Sequence, residues 1–199
     1  YSRLVVAISL GLTLGGAAVI ALLEWNNPGT IGGLTAGGKV LASLFQSVTL
    51  RTAGFASFDQ NALRDVTKAV CDVLMFVGGS SGSTAGGVKT VTVGVLVLAA
   101  VGTARGRTHI TAFKRTIPQS TVANAGSIAL LMLTLGAVGA GTIAVIDGVS
   151  FENAIYETIS ALCTVGLTTG ITSGLSLASC LILIIFMFFG RVGIMTISV

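Results

Sequence analysis

Charge is the scarcest commodity in this 199-residue chain: charged residues make up only 9% of it, against 53% hydrophobic residues. A water-soluble domain of this length needs far more polar surface, so the mean hydropathy of +0.96 points to lipid as the main solvent. Acids are absent from the whole interval between Val73 and Ile146, and the seven that exist (Glu24, Asp59, Asp65, Asp72, Asp147, Glu152 and Glu157) are read as flanking one set of helix ends. Cysteine is limited to Cys71, Cys163 and Cys180, an odd set without the close spacing of metal sites or small disulfide frameworks. They read as packing residues. The single histidine, His109, has no Cys, Asp or Glu near it, which argues against a metal ligand. No nucleophile, base and orienter set can be assembled, so the chain does not read as an enzyme.

Long uncharged runs are what the sequence has instead. Leu4 to Leu23 and Ala125 to Ile146 each approach the roughly 20 residues that cross a hydrocarbon core of about 30 Å. Further apolar stretches run from about Val73 to Ala104 and from Leu175 to Gly190, and four membrane crossings are expected. Arg105, Arg107, Lys114 and Arg115 share one short loop, with Arg3 predicted on the same side, which places that side in the cytoplasm and the acidic loops outside. The basic loop reads as a topology signal, with anionic lipid or a cytoplasmic partner as further readings; no nucleic-acid partner is expected. Glu24 and Trp25 read as an interfacial anchor. The chain begins at Tyr1 and stops at Val199 inside an apolar run, so it is read as a fragment of a longer protein.

Compared with itself, the chain repeats. Thr52-Ala53-Gly54-Phe55 matches Thr164-Val165-Gly166-Leu167 at an offset of 112, and at the same offset Met75-Phe76-Val77-Gly78 falls on Met187-Phe188-Phe189-Gly190. Each copy reads as a spanning helix, a short half-hydrophobic segment, a Thr-x-Gly turn and a second spanning helix. The short segments, about Gly38 to Leu50 and Ser150 to Cys163, would as helix reach only about 20 Å. They are expected to enter from outside and return as extended backbone, a form tolerated at that depth only where it lines water or is buried in protein. The fold class is therefore an all-α membrane protein of two tandem helix–pore-loop–helix repeats, residues 1–107 and 108–199, with a broken helix in the first and a C-terminal helix cut short.

Such an arrangement suits a cation. A half-helix dipping inward aims its C-terminal carbonyls, carrying about half a negative charge, at the membrane interior. The Thr-x-Gly turn can then present successive backbone oxygens in place of an ion's hydration shell.

Three stretches carry a family likeness: Phe45-Gln46-Ser47-Val48-Thr49-Leu50-Arg51-Thr52-Ala53-Gly54-Phe55, Gly78 through Thr90, and Thr164-Val165-Gly166-Leu167-Thr168-Thr169-Gly170. Together they resemble the Trk/Ktr/HKT superfamily of potassium-transport subunits, in particular its bacterial KtrB type, over nearly the whole chain. That family has four such repeats around one pathway, and this chain looks like repeats three and four. The resemblance implies that Thr52, Ala53, Gly54 and Phe55 form one quarter of a selectivity filter and Thr164, Val165, Gly166 and Leu167 another, with K+ held by their backbone carbonyls. The two missing quarters would come from an N-terminal half or a second copy. The resemblance also implies a homodimer of pore subunits, a cytoplasmic ring of nucleotide-binding regulatory subunits, residence in the plasma membrane, and no covalently bound cofactor, with K+ (and tolerance of Na+) as the transported ion.

From about Asp65 to Ala104 an unbroken helix would measure about 60 Å, twice the hydrocarbon thickness, so it has to break or protrude. The break is read at Gly78, Gly79, Ser80, Ser81, Gly82, Ser83, Thr84, Ala85, Gly86 and Gly87, where five glycines lower helix propensity. The family resemblance implies that this loop obstructs the pathway and moves on gating; close helix packing through small residues is the rival reading. A phosphate-binding loop is excluded by spacing, since Val88 separates Gly87 from Lys89 and no strand precedes the glycines. Arg191, equivalent to Gly79 by the offset, lies in an otherwise apolar helix. It would face the pathway as a barrier to cations, as the resemblance implies, or else snorkel to the interface. Lys89 reads as a second cavity charge or as a packing lysine. Arg51 and Glu157 could pair to brace the filter or be separately hydrogen-bonded.

Potassium permeation through a carbonyl-lined filter gated by the glycine-rich loop is the favoured function. An ion-coupled secondary transporter with a midplane site in broken helices, such as a symporter, is the alternative. A non-conducting scaffold is the third.

Overall fold

A computed structural model describes residues 2–79, 85–106, 111–112 and 115–192, the side chains of 2–4, 111, 112, 115 and 116 excepted. Seven helices follow in order: α1 (Ser2–Glu24), α2 (Ala36–Thr49), α3 (Asp65–Phe76), α4 (Thr90–Ala104), α5 (Gln119–Asp147), α6 (Phe151–Leu162) and α7 (Leu177–Val192). Between α4 and α5 lies a two-residue antiparallel pair, β1 (Thr111–Ala112) and β2 (Arg115–Thr116), which nothing in the basic loop had signalled.

Among the described residues, only α1 and α5 are both long and apolar enough to cross a membrane unaided. Four crossings were expected. The difference lies in α3, α4 and α7, of 12, 15 and 16 described residues. The apolar stretch read from Val73 to Ala104 is divided between α3 and α4, because Gly78 to Gly87 interrupts it. Large apolar side chains point away from the protein along α1, α5 and α7, as at Leu22, Val145 and Leu177, which are 80, 85 and 79% exposed. On a water-soluble protein so many would be a liability; facing lipid they are at home.

Local signals start and stop the helices. Pro28 cannot extend α1, and Asn27 Oδ1 accepts the Gly29 N–H at 3.1 Å to turn the chain. Thr35 caps α2 by accepting from Gly38 N at 3.3 Å, and Ser150 caps α6 by accepting from Asn153 N at 3.4 Å. The amphipathic short helices α2 and α6 each pack against the long helix before them, α2 on α1 and α6 on α5, while α3 packs across onto α6. The core where they meet contains Ile20, Leu50, Met75, Ile143, Tyr156 and Leu162, with Cys71 and Cys163 buried as free thiols.

Two acids expected at helix ends, Asp72 and Glu157, lie inside helices, and Glu24, which does end α1, has another role than expected. Asp72 is not at a helix end but inside α3, buried against α6 together with Lys68 one turn earlier; Lys68 Nζ lies 3.1 Å from Glu152 and 3.2 Å from Asn153 Oδ1. Glu24 is no interfacial anchor. It is fully buried and accepts from Asn27 Nδ2 (2.6 Å), Thr30 Oγ1 (2.7 Å), the Arg64 N–H (3.1 Å) and Thr67 Oγ1. Trp25 alone keeps the interfacial character, half-exposed beneath Lys39 Nζ at 5.0 Å.

Candidate functional site

The two Thr-x-Gly turns each follow a short helix. After α2, the N–H groups of Ala53 and Gly54 return to the Thr49 carbonyl at 3.1 and 3.3 Å; after α6, Val165 N reaches Ser160 O at 2.8 Å. The last carbonyls of α2 and α6 thus lie beside the turns, and with them the negative ends of the helix dipoles. Four residues of these turns have positive φ: Thr52 (71°) and Gly54 (77°), Thr164 (53°) and Gly166 (93°). The same two-residue spacing recurs at the offset of 112. A threonine in this conformation is uncommon, and Ala53 and Val165 between the positive positions do not share it. Alternation of that kind turns successive peptide units in opposite senses, which lets neighbouring carbonyls face one side.

The two turns touch. A Cβ on Gly54 would overlap the Val165 carbonyl oxygen, and one on Gly166 would stand 3.7 Å from the Gly54 Cα. Each turn is also tied to its own short helix: Thr49 Oγ1 donates to Phe55 O (2.7 Å) and accepts from Phe55 N (2.8 Å), and Ser160 Oγ donates to Leu167 O (2.6 Å). Gln60 bridges the halves, its Oε1 accepting from the buried Gln46 amide and from Tyr156 Oη at 3.0 Å.

Of the glycine-rich stretch, Ser80, Ser81, Gly82, Ser83 and Thr84 lie outside the described residues; its two ends do not. Gly78 N bonds to Val88 O at 3.0 Å, Val88 N to Phe76 O at 3.1 Å and Thr90 N to Gly79 O at 3.1 Å, closing the neck between α3 and α4. This neck meets both turns. Gly86 N donates to Thr164 Oγ1 at 3.1 Å. On the other side Thr90 Oγ1 donates to Gly78 O at 2.9 Å and accepts from Arg51 Nη2 at 3.2 Å, and Arg51 immediately precedes Thr52. Lys89 turns back to the Ala85 carbonyl at 2.7 Å, and Gly87 has φ 73°.

Arg51 and Glu157 do not pair. Arg51 reaches Ser9 on α1 as well as Thr90, and Glu157 accepts from Thr168, Thr169 and Thr172. Each finds neighbours that sequence spacing could not reveal, although Arg51 Nε is buried without a partner. Arg191 stands in the last turn of α7 and has an interaction of its own. His109, Arg107 and Lys114 lie outside the described residues. Sequence reasoning passed over Gln60, Thr90 and Tyr156; a buried glutamine and tyrosine in an apolar chain were the available signal.

Residues 4–199 match the family model described as TrkH, cation transport protein. The chain is 38% identical over 187 residues to the Ktr system potassium uptake protein B of Vibrio alginolyticus, covering 94% of this chain and 41% of that protein. It is 35% identical to the potassium/sodium uptake protein NtpJ of Enterococcus hirae, covering 99% and 44%. The chain spans about two fifths of the length of these curated relatives. The crystal structure of the potassium transporter TrkH from Vibrio parahaemolyticus superposes with a TM-score of 0.74 at 19% identity, over 93% of this chain and 41% of that one.

Proposed function

The chain belongs to the TrkH family of cation transport proteins, a family of transporters rather than enzymes, and on that premise we propose that it supplies two of the four walls of a potassium-conducting pore. Residues 1–107 form one helix–pore-loop–helix repeat and 108–199 the next. Backbone carbonyls of Thr52 to Phe55 and Thr164 to Leu167 replace water around K+, two quarters of a ring whose remainder comes from the rest of the longer protein or a second copy. The observation that carries this reading is the recurrence of positive φ at Thr52 and Gly54 and again at Thr164 and Gly166, each pair beyond the end of a short helix.

Gating belongs to the stretch Gly78 to Gly87 with Lys89, and Arg191 raises the barrier to cations below the filter. The neck of that stretch bonds to Thr164 of the second turn and, through Thr90, to Arg51 just before the first, so its movement would be felt at the ion path. Two relatives carry potassium uptake and potassium/sodium uptake in their names, in keeping with K+ as cargo and some tolerance of Na+. The protein works in the plasma membrane as a dimer of pore subunits, with a cytoplasmic nucleotide-binding ring docking near the basic loop.

The test is rubidium-tracer uptake into proteoliposomes holding the complete assembled protein, comparing wild type with Gly54→Ser and Gly166→Ser at matched reconstitution. Loss of K+ over Na+ discrimination in both variants is expected; indifference to both sinks the filter assignment. The broken α3 and α4 also suit an ion-coupled transporter, for which flux would saturate and need a co-ion.

A further inference from the structure

Glu157 lies midway along α6, 5% exposed, and points toward the chain that leaves the second Thr-x-Gly turn. Its Oε1 accepts from Thr168 Oγ1, from the Thr169 N–H (2.9 Å) and from Thr169 Oγ1 (3.2 Å), and its Oε2 accepts from Thr172 Oγ1 (2.8 Å). Besides these, Ser160 Oγ holds the Leu167 carbonyl and Thr168 Oγ1 accepts from the Gly170 N–H at 2.8 Å. Among the described residues, no backbone–backbone bond involves residues 166 to 169, before the turn of 3-10 helix at Ile171–Gly174. A cavity of about 480 Å³, lined by Glu157, Ser160, Thr164, Gly166 and Thr168 among others, adjoins the turn. Leu167 and Thr169 are themselves buried, so the bonds to Glu157 act together with packing in setting where the chain after Gly166 stands.

The carboxylate's partners are three hydroxyls and one amide, and among the described residues no Lys or Arg comes within ion-pair distance of it. Its negative charge is solvated by dipoles but not cancelled, so it adds attraction for a cation arriving at the adjoining turn. Both turns are held by a hydroxyl of their short helix, but the first copy lacks the carboxylate. At the offset of 112, Glu157 falls on Phe45, which is 44% exposed, and the first turn is held by the neutral Thr49 hydroxyl bonded to both the N–H and C=O of Phe55.

We propose that Glu157 is a positioning and specificity-determining residue of the second filter quarter, holding residues 166–172 at the spacing that suits K+ and biasing that quarter electrostatically. This rests on the filter reading given above. A segment held by several bonds to one carboxylate resists closing onto the smaller Na+, and a neutral side chain there would release it.

The test uses the complete assembled protein with rubidium uptake competed by K+ or Na+, for Glu157→Gln and Glu157→Asp beside Gly54→Ser and Gly166→Ser. Glu157→Gln keeps the shape but turns an NH2 donor toward groups that themselves donate. Its discrimination between K+ and Na+ is expected to fall about tenfold, the loss of one to two charge-assisted bonds, with part recovered in Glu157→Asp. A merely structural role would lower the amount of assembled protein and leave that ratio alone. Unchanged discrimination in Glu157→Gln, with loss in the two glycine variants, overturns the proposal and spares the filter reading. Unchanged discrimination in all four removes both. If Glu157→Gln does not assemble, Thr172→Val removes the Oε2 donor together with the Thr172–Thr168 hydroxyl contact and leaves the Oε1 bonds: a reduced ratio supports the proposal and a wild-type ratio overturns it.

Discussion

The Glu24 carboxylate at the end of α1 accepts the backbone N–H of Arg64, the residue before α3, at 3.1 Å. The same relation holds between Asp147 at the end of α5 and the N–H of Ser176, the residue before α7, at 3.0 Å, and Ser176 stands at the offset of 112 from Arg64. In both copies an acid closing one helix satisfies an orphan N–H at the start of another. Arg64 offers no side-chain cap of its own, so the foreign carboxylate supplies one.

Glu24→Ala is expected to destabilise the solubilised assembled protein by about 3 kcal/mol or more, because four donors lose a buried charged acceptor. Asp147→Ala should cost less, since Asp147 is only half-buried and one of its oxygens has no partner. Thermal unfolding followed by fluorescence-detected gel filtration ranks the two; equal shifts would contradict this account of Glu24.

The glycines of the two turns should differ in their tolerance of a methyl group. Gly166→Ala meets only an ordinary contact at 3.7 Å and suffers mainly the strain of positive φ, about 1–2 kcal/mol. Gly54→Ala adds an overlap with the Val165 carbonyl oxygen, so its loss of stability should be clearly larger. Thermal stability of both variants measured side by side decides it.

Thr90→Val removes the hydroxyl that links Arg51 to the Gly78 carbonyl. The expected cost is about 1–2 kcal/mol, together with faster rubidium flux at unchanged ion discrimination, because the neck loosens while the turns keep their own ties. Flux at the wild-type rate would mean that the neck does not depend on this link.

Arg191→Ala should raise cation flux if the arginine acts as a barrier, and Arg191→Lys, keeping the charge, should stay close to wild type. Rubidium uptake by the assembled protein reads the difference. Equal flux in wild type and Arg191→Ala removes the barrier role.

Much of the helix layout is visible in hydropathy. Leu4 to Leu23 lies within α1, Ala125 to Ile146 within α5, and the short segments read from Gly38 and Ser150 coincide closely with α2 and α6. The interruption after Phe76 follows from the glycines. Less visible was how short the two pieces on either side of that interruption are, 12 and 15 residues, since mean hydropathy does not register where a helix begins and ends.

Composition and spacing determined by themselves that the protein's solvent is lipid, where its helices run, and which positions recur at an offset of 112, because hydrophobicity, helix propensity and glycine content act on neighbouring residues. Only the tertiary structure decided the fate of the polar side chains. Glu24 became a buried clamp, Asp72 entered a helix interface, and Arg51 and Glu157, which could have paired, each found other partners. A buried charge settles where donors or acceptors converge, and Arg64 and Ser9 come from chain segments 40 and 42 residues away, so only the packed fold could bring them there.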